Sequence, residues 1–76
     1  MKAVVWSKYN CTFCEQAKAL LTSKGISFEE RKIGDGYTKE ELLEAVPTAR
    51  TVPQIFLDDV YVGGFNELKT KLTESI

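Results

Sequence analysis

Apolar residues change their period several times along this chain, and each change marks an element. Ala3-Val4-Val5-Trp6 is a short, continuous, partly β-branched run, the pattern of a strand buried on both faces of a sheet. The spacing then turns helical. Cys14, Ala17, Leu20 and Leu21 share one face, with Glu15, Gln16, Lys18 and Thr22 opposite or beside it. Lys24 suits the end of that helix, and Gly25 can take the left-handed position just past it. From Ile26 to Lys32 the alternation is loose, which predicts a second, more exposed strand before the turn Gly34-Asp35-Gly36.

Thr38-Lys39-Glu40-Glu41 matches a capping box, with Thr38 as N-cap and Glu41 reaching back to its amide. Leu42, Leu43 and Val46 give this short helix its apolar face, and Pro47 disfavours helical geometry at Val46. Val52-Pro53 opens a strand over Gln54–Leu57. Asp58-Asp59 separates it from Val60-Tyr61-Val62 at the spacing of a β-hairpin, and Gly63-Gly64 ends that strand. Phe65, Leu68, Leu72 and Ile76 then mark a closing helix, and Trp6, Phe56 and Tyr61 read as core aromatics.

The order β-α-β-α-β-β-α predicts a right-handed parallel crossover followed by an antiparallel hairpin. The expected α/β fold is a four-stranded mixed sheet flanked by three helices, in one domain spanning residues 1–76. A C-x-x-C pair after the first strand of such a pattern reads as thioredoxin-like.

Composition narrows the field by exclusion. The formal net charge is −1 and there is no histidine, so no basic footprint for nucleic-acid phosphates is expected. The longest apolar runs fall far below a membrane span and short of a secretory core segment. A reducing, cytoplasmic setting is therefore expected, which argues against a purely structural disulfide.

The two cysteines, Cys11 and Cys14, lie where the first strand gives way to a helix N-terminus. Thiol–disulfide exchange needs a thiolate. Unpaired backbone N–H groups and the positive dipole end of a helix favour that anion, and Lys8 adds positive potential three residues upstream. Cys11 is thus expected to titrate below an ordinary thiol and to attack. Cys14 shares the apolar face of Ala17 and Leu21, so it is expected to be sheltered and to resolve the intermediate. A zinc site needs four ligands, which two cysteines without a histidine do not supply in one chain.

"SKYNCTFCEQAKALL", "RTVPQIF" and "VGGF" together resemble the glutaredoxin family, in the expected order and over about Lys2 to Leu68. The resemblance implies Cys11 as nucleophile and Cys14 as resolving cysteine. It also implies a glutathione groove. Lys8 and Arg50 match basic positions facing the glycine carboxylate of glutathione, and Phe13 stands where the family usually has a groove-lining tyrosine. Thr51-Val52-Pro53 matches the segment whose proline is cis, with the Val52 main chain pairing with glutathione as an added strand would. Gly64, Phe65 and Asn66 match the segment that receives the γ-glutamyl carboxylate at a helix N-terminus.

The chain departs from the family pattern at three places. Thr12 replaces the usual proline between the cysteines, Phe13 lacks the phenol oxygen, and Asn66-Glu67 stands where many relatives carry paired acids.

The function implied is glutathione-dependent reduction of protein disulfides and protein–glutathione mixed disulfides. Glutathione serves as reductant and co-substrate, and no metal is expected. The implied partners are disulfide-containing or glutathionylated proteins, ribonucleotide reductase among them, with electrons from NADPH through glutathione reductase. A monomer is expected, with no nucleic-acid or membrane partner. Two other readings stay open: a thioredoxin-like hydrogen donor independent of glutathione, and a carrier of a glutathione-ligated [2Fe–2S] cluster.

Overall fold

The computed structural model describes residues 1–73. Four strands and three helices follow in the order β1 (Lys2–Lys8), α1 (Thr12–Ser23), β2 (Ser27–Ile33), α2 (Lys39–Ala45), β3 (Gln54–Leu57), β4 (Val60–Gly63) and α3 (Phe65–Thr73). The sheet order is β2-β1-β3-β4. β1 runs parallel to β2 and antiparallel to β3, and β3 pairs antiparallel with β4. This is the mixed sheet that the element order predicts, with β1 at its centre. β1 extends one residue before and two beyond the apolar run, because its parallel ladder with β2 runs from Lys2 to Lys8. Ile76, expected on the last helix, lies outside the described residues.

Alternation along β1 divides the core in two, since successive side chains point to opposite faces. Ala3 and Val5 pack with Ala17 and Leu21 of α1, Leu68 of α3, and Ile55 and Leu57 of β3. Trp6 packs on the other face with Leu42 and Val46 of α2 and its end. Both faces of β1 are therefore covered, which is why it reads as a continuous apolar run.

Local sequence sets the helix boundaries. α1 ends in a Schellman arrangement: the Ile26 amide donates to the Leu21 carbonyl at 3.0 Å and the Gly25 amide to that of Thr22 at 3.0 Å. Gly25 has φ +71°, a conformation that costs other L-residues more. α2 carries the full capping box. The Thr38 hydroxyl accepts from the Glu41 amide at 3.2 Å, and the Glu41 carboxylate accepts from the Thr38 amide at 3.0 Å. At the hairpin, Asp58 and Asp59 both have positive φ, 47° and 67°. Those are the signs of a type I′ turn, whose twist matches the flanking strands.

One expected core aromatic is not in the core. Tyr61 is 47% exposed, because β4 is the sheet edge. Its ring lies 5.4 Å from that of Phe56, and its hydroxyl donates to Gln54 Oε1 at 2.6 Å. Trp6 is buried as expected and Phe56 is half-buried against the α2-side cluster. Among the described residues no helix is long and apolar enough to cross a membrane.

Candidate active site

Cys11 is the N-cap residue of α1, extended at φ −111° and ψ 101°, and its sulfur accepts from the Cys14 amide at 3.1 Å. The amide is one of the N-terminal N–H groups that no helical carbonyl can satisfy. Cys11 and Cys14 are joined as a disulfide, with their Cα atoms 5.2 Å apart. Burial separates the two sulfurs' residues: Cys14 is 0% exposed, packed on the inner face of α1, whereas Cys11 is partly open.

A second loop faces this helix end from across the sheet. The Val52–Pro53 peptide bond is cis, and the Val52 carbonyl oxygen stands 3.8 Å from Cys11 Sγ. Gln54, buried just after the loop, anchors it. Its side-chain amide donates to the Thr51 carbonyl at 2.8 Å while its oxygen accepts from Tyr61. By sequence pattern Gln54 belongs only to a strand. The signal was its polarity inside an otherwise apolar strand.

The loop forms a ridge between two depressions. On one side lies a groove of about 200 Å³, lined by Phe13, Thr51, Val52, Pro53, Gly64, Phe65, Asn66 and Glu67. All seven groove residues expected from sequence, other than Lys8 and Arg50, meet there. Phe13 is 59% exposed, its ring 6.2 Å from that of Phe65. Lys8 and Arg50 lie on the other side of the ridge, in a cleft of about 230 Å³ that also takes Thr51 and Val52. A third depression, with Lys8, Tyr9, Cys11 and Lys32 on its walls, opens the sulfur to solvent. Lys32 holds its ammonium 4.7 Å over the Tyr9 ring.

Glu67 joins the groove, beyond the residues that the family resemblance implies. Its carboxylate accepts from the Gly64 amide at 2.8 Å, closing the N-terminus of α3 from within. The pair is three positions apart, the spacing of half a capping box.

Below Cys14, α1 is tied to the sheet by a polar cluster. Ser7, Val5 and Ala3 share one face of β1, and Glu30 lies opposite Val5 in the parallel register, so it points the same way. The Glu30 carboxylate accepts from the buried Ser7 hydroxyl at 2.7 Å and from Lys18 at 2.8 Å. Lys18 also pairs with Glu15 at 2.7 Å. Burial pushes the Glu30 carboxyl up, but the hydrogen bonds from Lys18 and Ser7 and the charges of Lys18 and Lys32 outweigh it, holding Glu30 below the usual carboxylate range. Burial likewise acts to lower Lys18, and its hydrogen bonds to Glu15 and Glu30 overcome that and raise it.

A cysteine pair on a helix N-terminus beside a cis-proline loop places the protein among the thioredoxin-like thiol–disulfide oxidoreductases. The family model described as Glutaredoxin matches residues 3–62. Glutaredoxin 3 of Escherichia coli K12 is 42% identical over 64 residues, which cover 84% of this chain and 77% of that protein. The solution structure of reduced Escherichia coli glutaredoxin superposes with a TM-score of 0.81 at 30% identity, covering 99% of this chain and 96% of that one. A buckwheat glutaredoxin–glutathione complex also reaches 0.81, at 25% identity and over 95% and 68% of the two chains. The chain belongs to the glutaredoxin family.

Proposed function

We propose that this protein is a dithiol glutaredoxin of one domain that draws its electrons from glutathione. The observation that carries the reading is that Thr51 and Val52 border both depressions, beside Cys11. Glutathione is an extended tripeptide with a carboxylate at each end. Its γ-glutamyl end fits the start of α3 at Gly64, Phe65 and Asn66, where helical amides favour an anion. Its backbone then runs along Thr51, Val52 and Pro53, with Phe13 against the chain, and its glycine carboxylate reaches Lys8 and Arg50. Glu67 already holds the Gly64 amide, so the ligand's carboxylate uses the amides of Phe65 and Asn66 or displaces it.

In this reading the Cys11 thiolate attacks the glutathione sulfur of a protein–glutathione mixed disulfide. The protein leaves as a thiolate and takes up a proton. A second glutathione then attacks the Cys11–glutathione disulfide, releasing oxidised glutathione and restoring the Cys11 thiolate. With a protein disulfide, Cys11 first bonds to one target sulfur and the other leaves. Cys14 next attacks Cys11 and frees the second target thiol. The two electrons passed to the target leave the Cys11–Cys14 disulfide, which two glutathiones reduce. This couple runs forward in a reducing compartment, the cytoplasm, and by family resemblance ribonucleotide reductase is among the targets.

The test is turnover of a small glutathione mixed disulfide with glutathione and glutathione reductase supplied. Cys11→Ser abolishes it, whereas Cys14→Ser retains it and loses only reduction of protein disulfides. The reading falls if the unaltered protein is inert with glutathione yet is reduced by a thioredoxin reductase.

A further inference from the structure

The cleft on the Lys8 side of the ridge is larger and more charged than a single glycine carboxylate requires. Three cations line it, Lys8, Arg50 and Lys39, and no carboxylate does. Lys39 is the first residue of α2, so the capping box that starts that helix also sets the lysine on the rim. Among the described residues the ion pairs join Lys18 and Arg31 to glutamates, and none engages these three. Behind the cations the wall is apolar, made by Ile33, Leu42, Leu43 and Ala49. The net charge of the whole chain is −1, so this is a local concentration of positive charge beside the attacking sulfur.

We infer that this cleft is the docking surface for protein disulfide substrates, and that it takes an acidic segment carrying an aliphatic side chain next to the cysteine that Cys11 attacks. The carboxylates meet Lys39, Lys8 and Arg50, and the aliphatic group covers the wall of Leu43 and Ala49. Lys8 and Arg50 suffice for the glycine carboxylate of glutathione. Lys39 and the apolar wall are left over, and they suit a longer polypeptide. Complementary charge of this kind speeds encounter and selects among partners more than it deepens affinity. The chemistry is that of the dithiol step: the target disulfide is reduced by two electrons as Cys11 and Cys14 become a disulfide. The inference rests on the dithiol reading but needs no glutathione.

Two disulfide-bridged peptides test it, identical except for Asp or Lys on either side of a Leu next to one cysteine. Pre-reduced protein is mixed with each and its single-turnover oxidation is followed. At low salt the Asp peptide is expected to react about tenfold faster, and about 0.5 M salt to close most of that gap. Lys39→Glu is expected to erase or reverse the preference while turnover of a small glutathione mixed disulfide is unchanged. Equal rates for the two peptides overturn the inference, as does a Lys39→Glu protein slowed alike with both peptides. Because the single-turnover reaction contains no glutathione, either result stands apart from failure of the glutathione reading.

Discussion

The Cys14 amide donates to the Cys11 sulfur across 3.1 Å, so Cys14 supports Cys11 through its backbone. That support does not depend on the Cys14 side chain. The Cys14→Ser protein therefore keeps a Cys11 that iodoacetamide alkylates rapidly at neutral pH. Cys14 is 0% exposed, so in the Cys11→Ser protein it is expected to be alkylated slowly until denaturant is added. Mass-spectrometric time courses check both. Fast native-state alkylation of Cys14 would reverse the assignment of the two roles.

Thr12 is the first residue of α1, the position where proline is best tolerated because its amide has no helical partner. Cys11 before it is extended, close to the geometry that a following proline demands. Thr12→Pro is thus expected to stabilise the fold by about 0.4–1 kcal/mol through the unfolded chain. Urea unfolding of the oxidised proteins gives the difference, and a loss of stability would mean the native loop cannot accept the ring.

Glu30 makes stability depend on acid. Its carboxyl sits below the usual range in the folded protein, so it contributes stability above the ordinary glutamate pKa of about 4.3. That contribution is lost as pH falls through the lower folded value. Lys18, raised in the folded state, contributes below the ordinary lysine value and loses its part as pH rises through the raised one. Glu30→Gln is expected to flatten the acid limb of a urea-midpoint profile against pH. An unchanged limb would assign it to other carboxylates.

Leu68 is the one fully buried side chain of α3 among the described residues, and it joins that helix to the cluster around Ile55 and Leu21. Leu68→Ala is expected to cost about 2–5 kcal/mol, a large share of what a domain this small has. Chemical denaturation measures it. Because α3 carries one wall of the groove, the KM for a glutathione mixed disulfide is expected to rise with it.

The local order of residues was enough to specify all seven elements, the order β-α-β-α-β-β-α, and the split between a partly open Cys11 and a sheltered Cys14. Each of these follows from short-range physics. Period separates strand from helix, Thr38 and Glu41 are three apart, and a cysteine at a helix start meets free amides whatever lies elsewhere. Motif resemblance added the groove residues, though not the fact that the Val52 ridge parts them from Lys8 and Arg50. Other relationships come from chain segments far apart in sequence. Glu30 meets Ser7 and Lys18 only because β2 lies parallel to β1 in one register and α1 crosses that face. Tyr61 is exposed because β4 forms the sheet edge, a matter of strand order that its own apolar neighbours do not encode. Lys39, an ordinary surface lysine by its local pattern, joins Lys8 and Arg50 because α2 packs under Trp6, next to the cis-proline loop. Side-chain period is a property of a few consecutive residues. A shared cleft is a property of how the sheet brings separate segments together, and only the tertiary structure decided that.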